Sequence, residues 1–166
     1  MWRLFARRST ETRGVEAPSD HLPDAPVAVA APPVSEDARS IAHIECVGQA
    51  IVATMTAATI SSATHTAFNS LLDSLLASDR SWHILDLQNV ACIDPCAIRK
   101  LREFAVLIAQ RGQYLALAST SIDLANQLGL GTLEHPVPVC RDVMSAMETL
   151  RRQQAAHNGE VSELVL

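Results

Sequence analysis

The residues with the most chemical character lie together in the middle of the chain, from Cys92 to Ala97. Asp94 can cap a helix, because its carboxylate accepts from the free N–H groups of the first turn. Pro95 fits the first helical position, where no N–H is needed. Cys96 would follow in the first turn, where the helix dipole favours a thiolate, and Cys92 could act as its resolving partner. The stretch therefore has two possible interpretations: the start of a helix with two small structural thiols, or a thiol sensor.

The flanking residues predict a strand, a helix and a second strand. A short apolar run precedes the cap, formed by Ile84, Leu85, Leu87 and Val90. After the cap, apolar residues recur at three- and four-residue steps, as a buried helix face requires: Ile98, Leu101, Phe104, Ala105 and Ile108. Gly112 suits the helix end, and Tyr114 to Ser119 predicts the second strand. This order predicts a parallel pair of strands joined by a right-handed crossover.

We expect Asp86 to form a hydrogen bond with nearby backbone at a strand end rather than to act as a general base.

Further elements can be placed on both sides of this unit. Ile41 to Val47 and Ala50 to Met55 predict strands separated by Gly48, and Thr59 to Ser78 predicts the first helix, capped by Ser61 or Ser62. Ser121 to Leu128 predicts a short helix, followed by a turn at Gly129 and Gly131. Val137 to Val139 predicts an edge strand, because Pro138 cannot donate to a ladder. A last helix starts at Arg141, and we expect its inward residues to be Val143, Met144, Met147 and Leu150, with Arg151 and Arg152 near its C-terminal end.

The central stretch resembles the STAS domain, a family that includes bacterial anti-sigma-factor antagonists and the cytoplasmic tails of sulphate-type transporters. The resemblance rests on Leu85-Asp86-Leu87, a short gap, Ile93-Asp94, the helix, Arg111-Gly112 and the apolar strand. It covers roughly residues 40 to 152. The fold it implies is a single α/β domain with a mixed β-sheet and packed helices.

The resemblance also implies a site at the start of the central helix. Anti-sigma-factor antagonists typically have Asp-Ser-Ser-Gly there, and a partner kinase phosphorylates the first serine. Pro95 takes that position here and has no hydroxyl, so we expect no phosphorylation site. The family's contact face would map onto Asp94, Pro95, Cys96, Arg99, Lys100 and Arg102, whose cations would suit an acidic partner.

Composition excludes several other functions. The net charge of −5 and the 4% aromatic content argue against a dedicated nucleic-acid binder. Cys46, Cys92, Cys96 and Cys140 lack paired zinc spacing, and His65 has no second ligand one helical turn away. No nucleophile elbow is evident. We therefore expect no enzyme activity, no metal and no cofactor, and reduced thiols in a cytoplasmic protein.

The ends of the chain differ from its middle. Five of the eight prolines lie between Pro18 and Pro33, which predicts an extended tail over residues 1–37. The tail opens with Trp2, Leu4, Phe5 and several arginines, which suit either a membrane-surface or partner-docking peptide or a solvated terminus. The domain would then span residues 38–152, and residues 153–166 would form a flexible C-terminal tail. We expect no transmembrane segment, since no apolar run is long enough.

Taken together, these features predict a non-catalytic bacterial regulatory protein that acts through protein–protein interaction. Its partner would be an anti-sigma factor or a similar serine-kinase-like regulator, as the resemblance implies. The alternative is a soluble accessory subunit of a lipid-transport ABC complex, with an ABC ATPase as the partner. A third reading is the thiol-based redox sensor at Cys96.

Overall fold

The computed structural model describes residues 34–119, 121–129, 133 and 136–163, except for the side chains of Ile122, Ala125 and residues 159–163. Five helices are described: α1 (Glu36–Ile41), α2 (His65–Leu76), α3 (Pro95–Gln110), α4 (Ile122–Leu128) and α5 (Val143–Glu163). The described strands are β1 (Ala42–Val47), β2 (Ala50–Met55), β3 (Thr59–Ile60), β4 (Trp82–Asp86), β5 (Cys92–Ile93), β6 (Tyr114–Ala118) and β7 (Val139–Cys140). None of these helices is long and apolar enough to cross a lipid bilayer.

A five-stranded mixed sheet in the order β1-β2-β4-β6-β7 forms the centre of the domain. β1 and β2 are antiparallel and joined at Gly48, whose φ of 58° suits a tight hairpin turn. The other neighbours are parallel, with Ile84 of β4 opposite Val52 on one side and Ala116 on the other. All five residues of β4 are buried, as expected for a parallel strand covered on both faces. The predicted strand–helix–strand unit is confirmed.

The two faces of the sheet are covered differently. One face packs on α1, α2, α3 and α4 through a large apolar core that includes Phe68, Leu85 and Leu101. The other face packs on α5, where Ala146 and Leu150 contact the side of the sheet that carries Ile84. The structure is therefore a three-layer α/β arrangement, and the predicted α/β fold with a mixed sheet and packed helices is confirmed.

His83 is a polar residue inside the larger core. It is 0% exposed, and its ring meets the ring of Phe104 edge-on, with centroids 6.3 Å apart. Removal from water disfavours the charged imidazole, and burial accordingly lowers the pKa of His83 from 6.5 to about 4. The side chain is therefore neutral in the folded protein at neutral pH.

The first predicted helix begins later than its sequence suggested. Thr59 belongs to β3, and α2 starts at His65 with Thr64 as its N-cap residue, instead of Ser61 or Ser62. The Thr64 hydroxyl does not cap the helix; its oxygen accepts from the N–H of Ser61 at 3.0 Å. The hydroxyl therefore closes a turn before α2, and the backbone from 56 to 64 forms a loop with a short strand.

The ends of the domain also differ from the sequence prediction. Residues 36 and 37 belong to α1, because Ser35 accepts from the N–H of Ala38 at 3.2 Å and caps a short helix that buries Ala38 and Ile41. At the other end, α5 continues to Glu163, since the segment after residue 152 contains strong helix formers and no proline. Arg151 and Arg152 consequently lie in the middle of α5. Residues 1–33 and 164–166 lie outside the described part of the chain.

The sequence predicted that Met144 lies on the inward face of the last helix, and this prediction is wrong. Met144 is 74% exposed, whereas Ala146 and Leu150, one helical turn apart, are buried. Val143 and Met147 are partly buried beside them. The inward stripe of α5 therefore centres on Ala146 and Leu150, which rotates Met144 out to solvent.

Candidate functional site

The start of α3 is held next to the loop between β2 and α2 by a second, very short sheet. β3 and β5 pair in parallel, with Thr59 opposite Cys92 and Ile60 opposite Ile93. The pairing extends by one hydrogen bond, from the Asp94 N–H to the Ile60 carbonyl at 2.9 Å. Segments that are more than thirty residues apart in sequence therefore form one surface at this end of the molecule.

Asp94 caps α3 as the sequence predicted. Its backbone is extended, with φ −74° and ψ 159°, and its carboxylate accepts from the Ala97 N–H at 2.7 Å. Pro95 follows at the first helical position. A cap of this kind stabilises a helix by about 1 kcal/mol, so Asp94 fixes the point at which α3 leaves the sheet.

The residues that follow the cap divide between surface and core. Pro95, Cys96 and Arg99 are exposed, while Ala97 and Leu101 are buried. Positions 96 and 99 are neighbours on one helix face, because they are three residues apart. Four of the six predicted contact residues are thus adjacent on the surface: Asp94, Pro95, Cys96 and Arg99.

Lys100 and Arg102, the other two, have partners within the chain. The Lys100 ammonium lies 2.7 Å from the Glu103 carboxylate, and its hydrogen bond to that group lowers the pKa of Glu103. The Arg102 Nε donates to the Leu128 carbonyl at 2.7 Å. Gly129 follows in a left-handed conformation with φ +56°, and a Cβ there would clash with Arg102 Nη2. Arg102 therefore braces the C-terminal end of α4 against α3.

The rest of this surface is small and uncharged. Thr59 on β3 and Cys92 on β5 are exposed, as are Ala58 and Ala91, whose backbones are joined by a 2.8 Å hydrogen bond. This pairing could not be predicted from the amino-acid pattern, because two-residue strands are too short to show a periodicity. The α3 N-terminus and the β3–β5 pair together form what we call the contact face: Ala58, Thr59, Ala91, Cys92, Asp94, Pro95, Cys96 and Arg99.

The two cysteines of the contact face are free thiols. Cys92 and Cys96 are both exposed, and they lie on opposite sides of the Asp94 cap in sequence. Cys46 and Cys140 are free as well and partly buried. Reactivity of Cys96 stays a prediction. Within the described residues, no group of three or more His, Cys, Asp or Glu side chains is arranged to hold a metal ion.

Asp86 has the structural role that the sequence predicted. It is 8% exposed at the end of β4, and its carboxylate accepts from the Gln88 N–H at 3.0 Å. This bond shapes the turn that leads from β4 towards β5. Asp86 thus helps to place the contact face.

Comparison with solved structures identifies the fold. The chain is similar to an anti-sigma factor antagonist from Mycobacterium paratuberculosis, with 14% identity, a TM-score of 0.56, and 66% of this chain and 92% of that chain covered. It is also similar to a candidate anti-sigma factor antagonist from Thermotoga maritima, with 18% identity, a TM-score of 0.58, and 70% and 99% covered. No family model and no curated protein matches the sequence. The STAS-like fold that the sequence resemblance predicted is confirmed.

Proposed function

We propose that this chain is a non-catalytic, cytoplasmic STAS-domain regulator that binds a protein partner through the contact face. The observation that carries the proposal is the exposed, uncharged surface that the β3–β5 pair joins to the start of α3. Of the two solved structures compared above, one is an anti-sigma factor antagonist and the other a candidate anti-sigma factor antagonist. An anti-sigma factor or a related regulator is therefore the partner that we propose.

Pro95 makes the contact face constitutively competent in this proposal. In a phosphorylation switch, a phosphate adds nearly two negative charges at the contact surface. Pro95 and Cys96 occupy the first two positions of α3, and neither side chain has a hydroxyl group. Binding would then be controlled by the amount of protein or by the state of its partner.

Salt should affect the interaction weakly. The sequence predicted three cations for partner binding. Two of them have partners within the chain: Lys100 forms an ion pair with Glu103, and Arg102 donates a hydrogen bond to the Leu128 carbonyl. Arg99 has no ion pair among the described residues, so it is the cation best placed to meet a partner. A contact made mostly by small neutral side chains depends on close packing, which salt screens little.

The test starts with capture of the partner from the native host, followed by affinity measurements with purified components. Pro95→Glu places a charge in the middle of the contact face, and a carboxylate at a helix N-terminus does not harm the helix. Ala155→Glu adds the same charge at an exposed position of α5 and serves as the matched control.

We expect Pro95→Glu to weaken binding by about tenfold or more, near 1.4 kcal/mol, with the control unchanged. Equal affinities for Pro95→Glu and wild type would place the interface elsewhere. Capture of an ABC ATPase instead of a transcriptional regulator would assign the protein to transport.

A further inference from the structure

A cavity of about 510 Å³ lies at the opposite end of α3 from the contact face. Its apolar walls come from α3, β6, the segment before β7 and α5: Ala105, Ile108, Ala109, Leu115, Val137 and Ala156. Binding pockets for small molecules typically have volumes of about 300–1,000 Å³ and mostly apolar walls. The volume and the apolar lining of this cavity therefore fall within the range of small-molecule sites.

The cavity exists because the neighbouring strand is short. β7 pairs with Leu117 and Ala118 of β6, and the Leu117 N–H donates to the Pro138 carbonyl at 2.9 Å. Among the described residues, no strand continues this pairing at Leu115, so that part of the β6 edge faces the cavity. The space is bordered by the small side chains of Ala105 and Ala109, which do not fill it.

α5 borders the other side. Ala146 and Leu150 of this helix pack on the sheet, and further along it the exposed residues Gln153 and Ala156 line the open side of the cavity. The helix residues beyond 152 therefore form a wall of this cavity. A molecule bound here would contact α3, β6 and α5 at once.

The lining determines what kind of molecule fits. The described side chains around the cavity include no Asp, Glu, Lys or Arg, so a charged ligand would lose its hydration without gaining an ionic partner. Gln153 and His157 are polar residues of the α5 wall and can exchange a hydrogen bond with a ligand. Gln113 also lines the cavity: its amide nitrogen donates to the Ser78 and Arg80 carbonyls at 3.3 and 2.9 Å, and its buried Oε1 has no hydrogen-bond partner among the described residues.

We propose that this cavity binds a neutral, largely apolar small molecule that carries one hydrogen-bonding group. The site is separate from the contact face, so it does not depend on the function proposed above. A bound molecule would fasten the distal half of α5 to α3, and it would raise the stability of the folded chain in proportion to its concentration.

The full-length protein can be titrated with N-phenyl-1-naphthylamine, a neutral fluorescent probe with two aromatic ring systems and one N–H. Ala156→Trp places a large side chain in the cavity from α5. Ala155→Trp is the matched control, because Ala155 is exposed, as Ala156 is, but does not line the cavity. Ala109→Leu fills the cavity from α3 and provides a second variant if Ala156→Trp folds poorly. Circular dichroism verifies the fold of each variant.

We expect saturable binding to wild type, a loss of affinity of about tenfold or more in the two filled variants, and a change below about twofold in the control. Equal binding by the filled variants and wild type would place the probe elsewhere and overturn the proposal, as would the absence of saturable binding. A dimer that dissociates on Ala156→Trp would also overturn it, by assigning the cavity to a second copy of the chain.

Discussion

The buried histidine of β4 predicts how the stability of this protein changes with pH. His83 is 0% exposed, and burial lowers its pKa from 6.5 to about 4. In the unfolded chain the imidazole regains its ordinary pKa. Between those two values the unfolded chain therefore binds a proton that the folded chain does not, and its free energy falls relative to the folded state as the pH decreases.

The sign and the size follow from this difference. The contribution of His83 to stability is fully present above about pH 6.5 and is lost as the pH falls towards 4. At about 1.4 kcal/mol per pH unit, the interval from 6.5 to about 4 corresponds to a loss of about 3 kcal/mol in the free energy of unfolding. Such a loss is a large fraction of the 5–15 kcal/mol that is typical of native proteins.

Urea unfolding at several pH values between about 7.5 and 4 measures this loss. Carboxylates also titrate near pH 4, so the informative quantity is the difference between wild type and His83→Leu, which has no titrating group at this position. His43→Leu is the control, because His43 is exposed on β1. We expect the stability of His83→Leu to fall less with decreasing pH, by about 3 kcal/mol, and His43→Leu to follow wild type. Parallel curves for wild type and His83→Leu would refute the reasoning.

Three further predictions concern the cap, the turn after α4 and the tail. Asp94→Ala should lower the free energy of urea unfolding by about 1 kcal/mol and Asp94→Asn by less; equal losses would mean that the cap is not the cause. Gly129→Ala should lower the free energy of unfolding by at least about 1–2 kcal/mol, and by more than Gly48→Ala does. Both glycines have positive φ, but only the added Cβ at position 129 meets Arg102. Equal losses for the two variants in urea unfolding would show that the Arg102 side chain moves away without cost. Deletion of residues 1–33 should move the melting temperature by less than about 5 °C, near 1 kcal/mol for a domain of this size; a larger fall would show that the segment packs on the core.

The central strand–helix–strand unit could be predicted because its signals are local and agree with one another. Leu85 and Leu101 belong to apolar runs with the spacing of a strand and a helix, and Asp94 and Pro95 mark the helix start between them. The predictions of the strand, the cap and the helix are therefore confirmed by the structure. The prediction failed at Met144. The buried face of α5 includes a small residue, Ala146, which is a weaker apolar signal in the sequence than methionine.

The composition of the candidate site depended on contacts between distant parts of the chain. Arg102 bonds to a carbonyl 26 residues away, and no local pattern reveals that it braces α4. Thr59 and Cys92 pair as two-residue strands, which are too short for a period of two to be seen. The start of α3 could therefore be located from the sequence. The sequence could not distinguish Arg99, which forms no ion pair among the described residues, from Lys100 and Arg102, which have partners in the fold.

The contact face is tested most directly by amide hydrogen exchange of the chain with and without its captured partner. We expect the partner to slow exchange in the loops that carry the face, at residues 56–63 and 87–96, and to leave β1 and the first turns of α5 unchanged. Protection confined to β1 or α5, with unchanged exchange at residues 87–96, would contradict the proposed mode of binding.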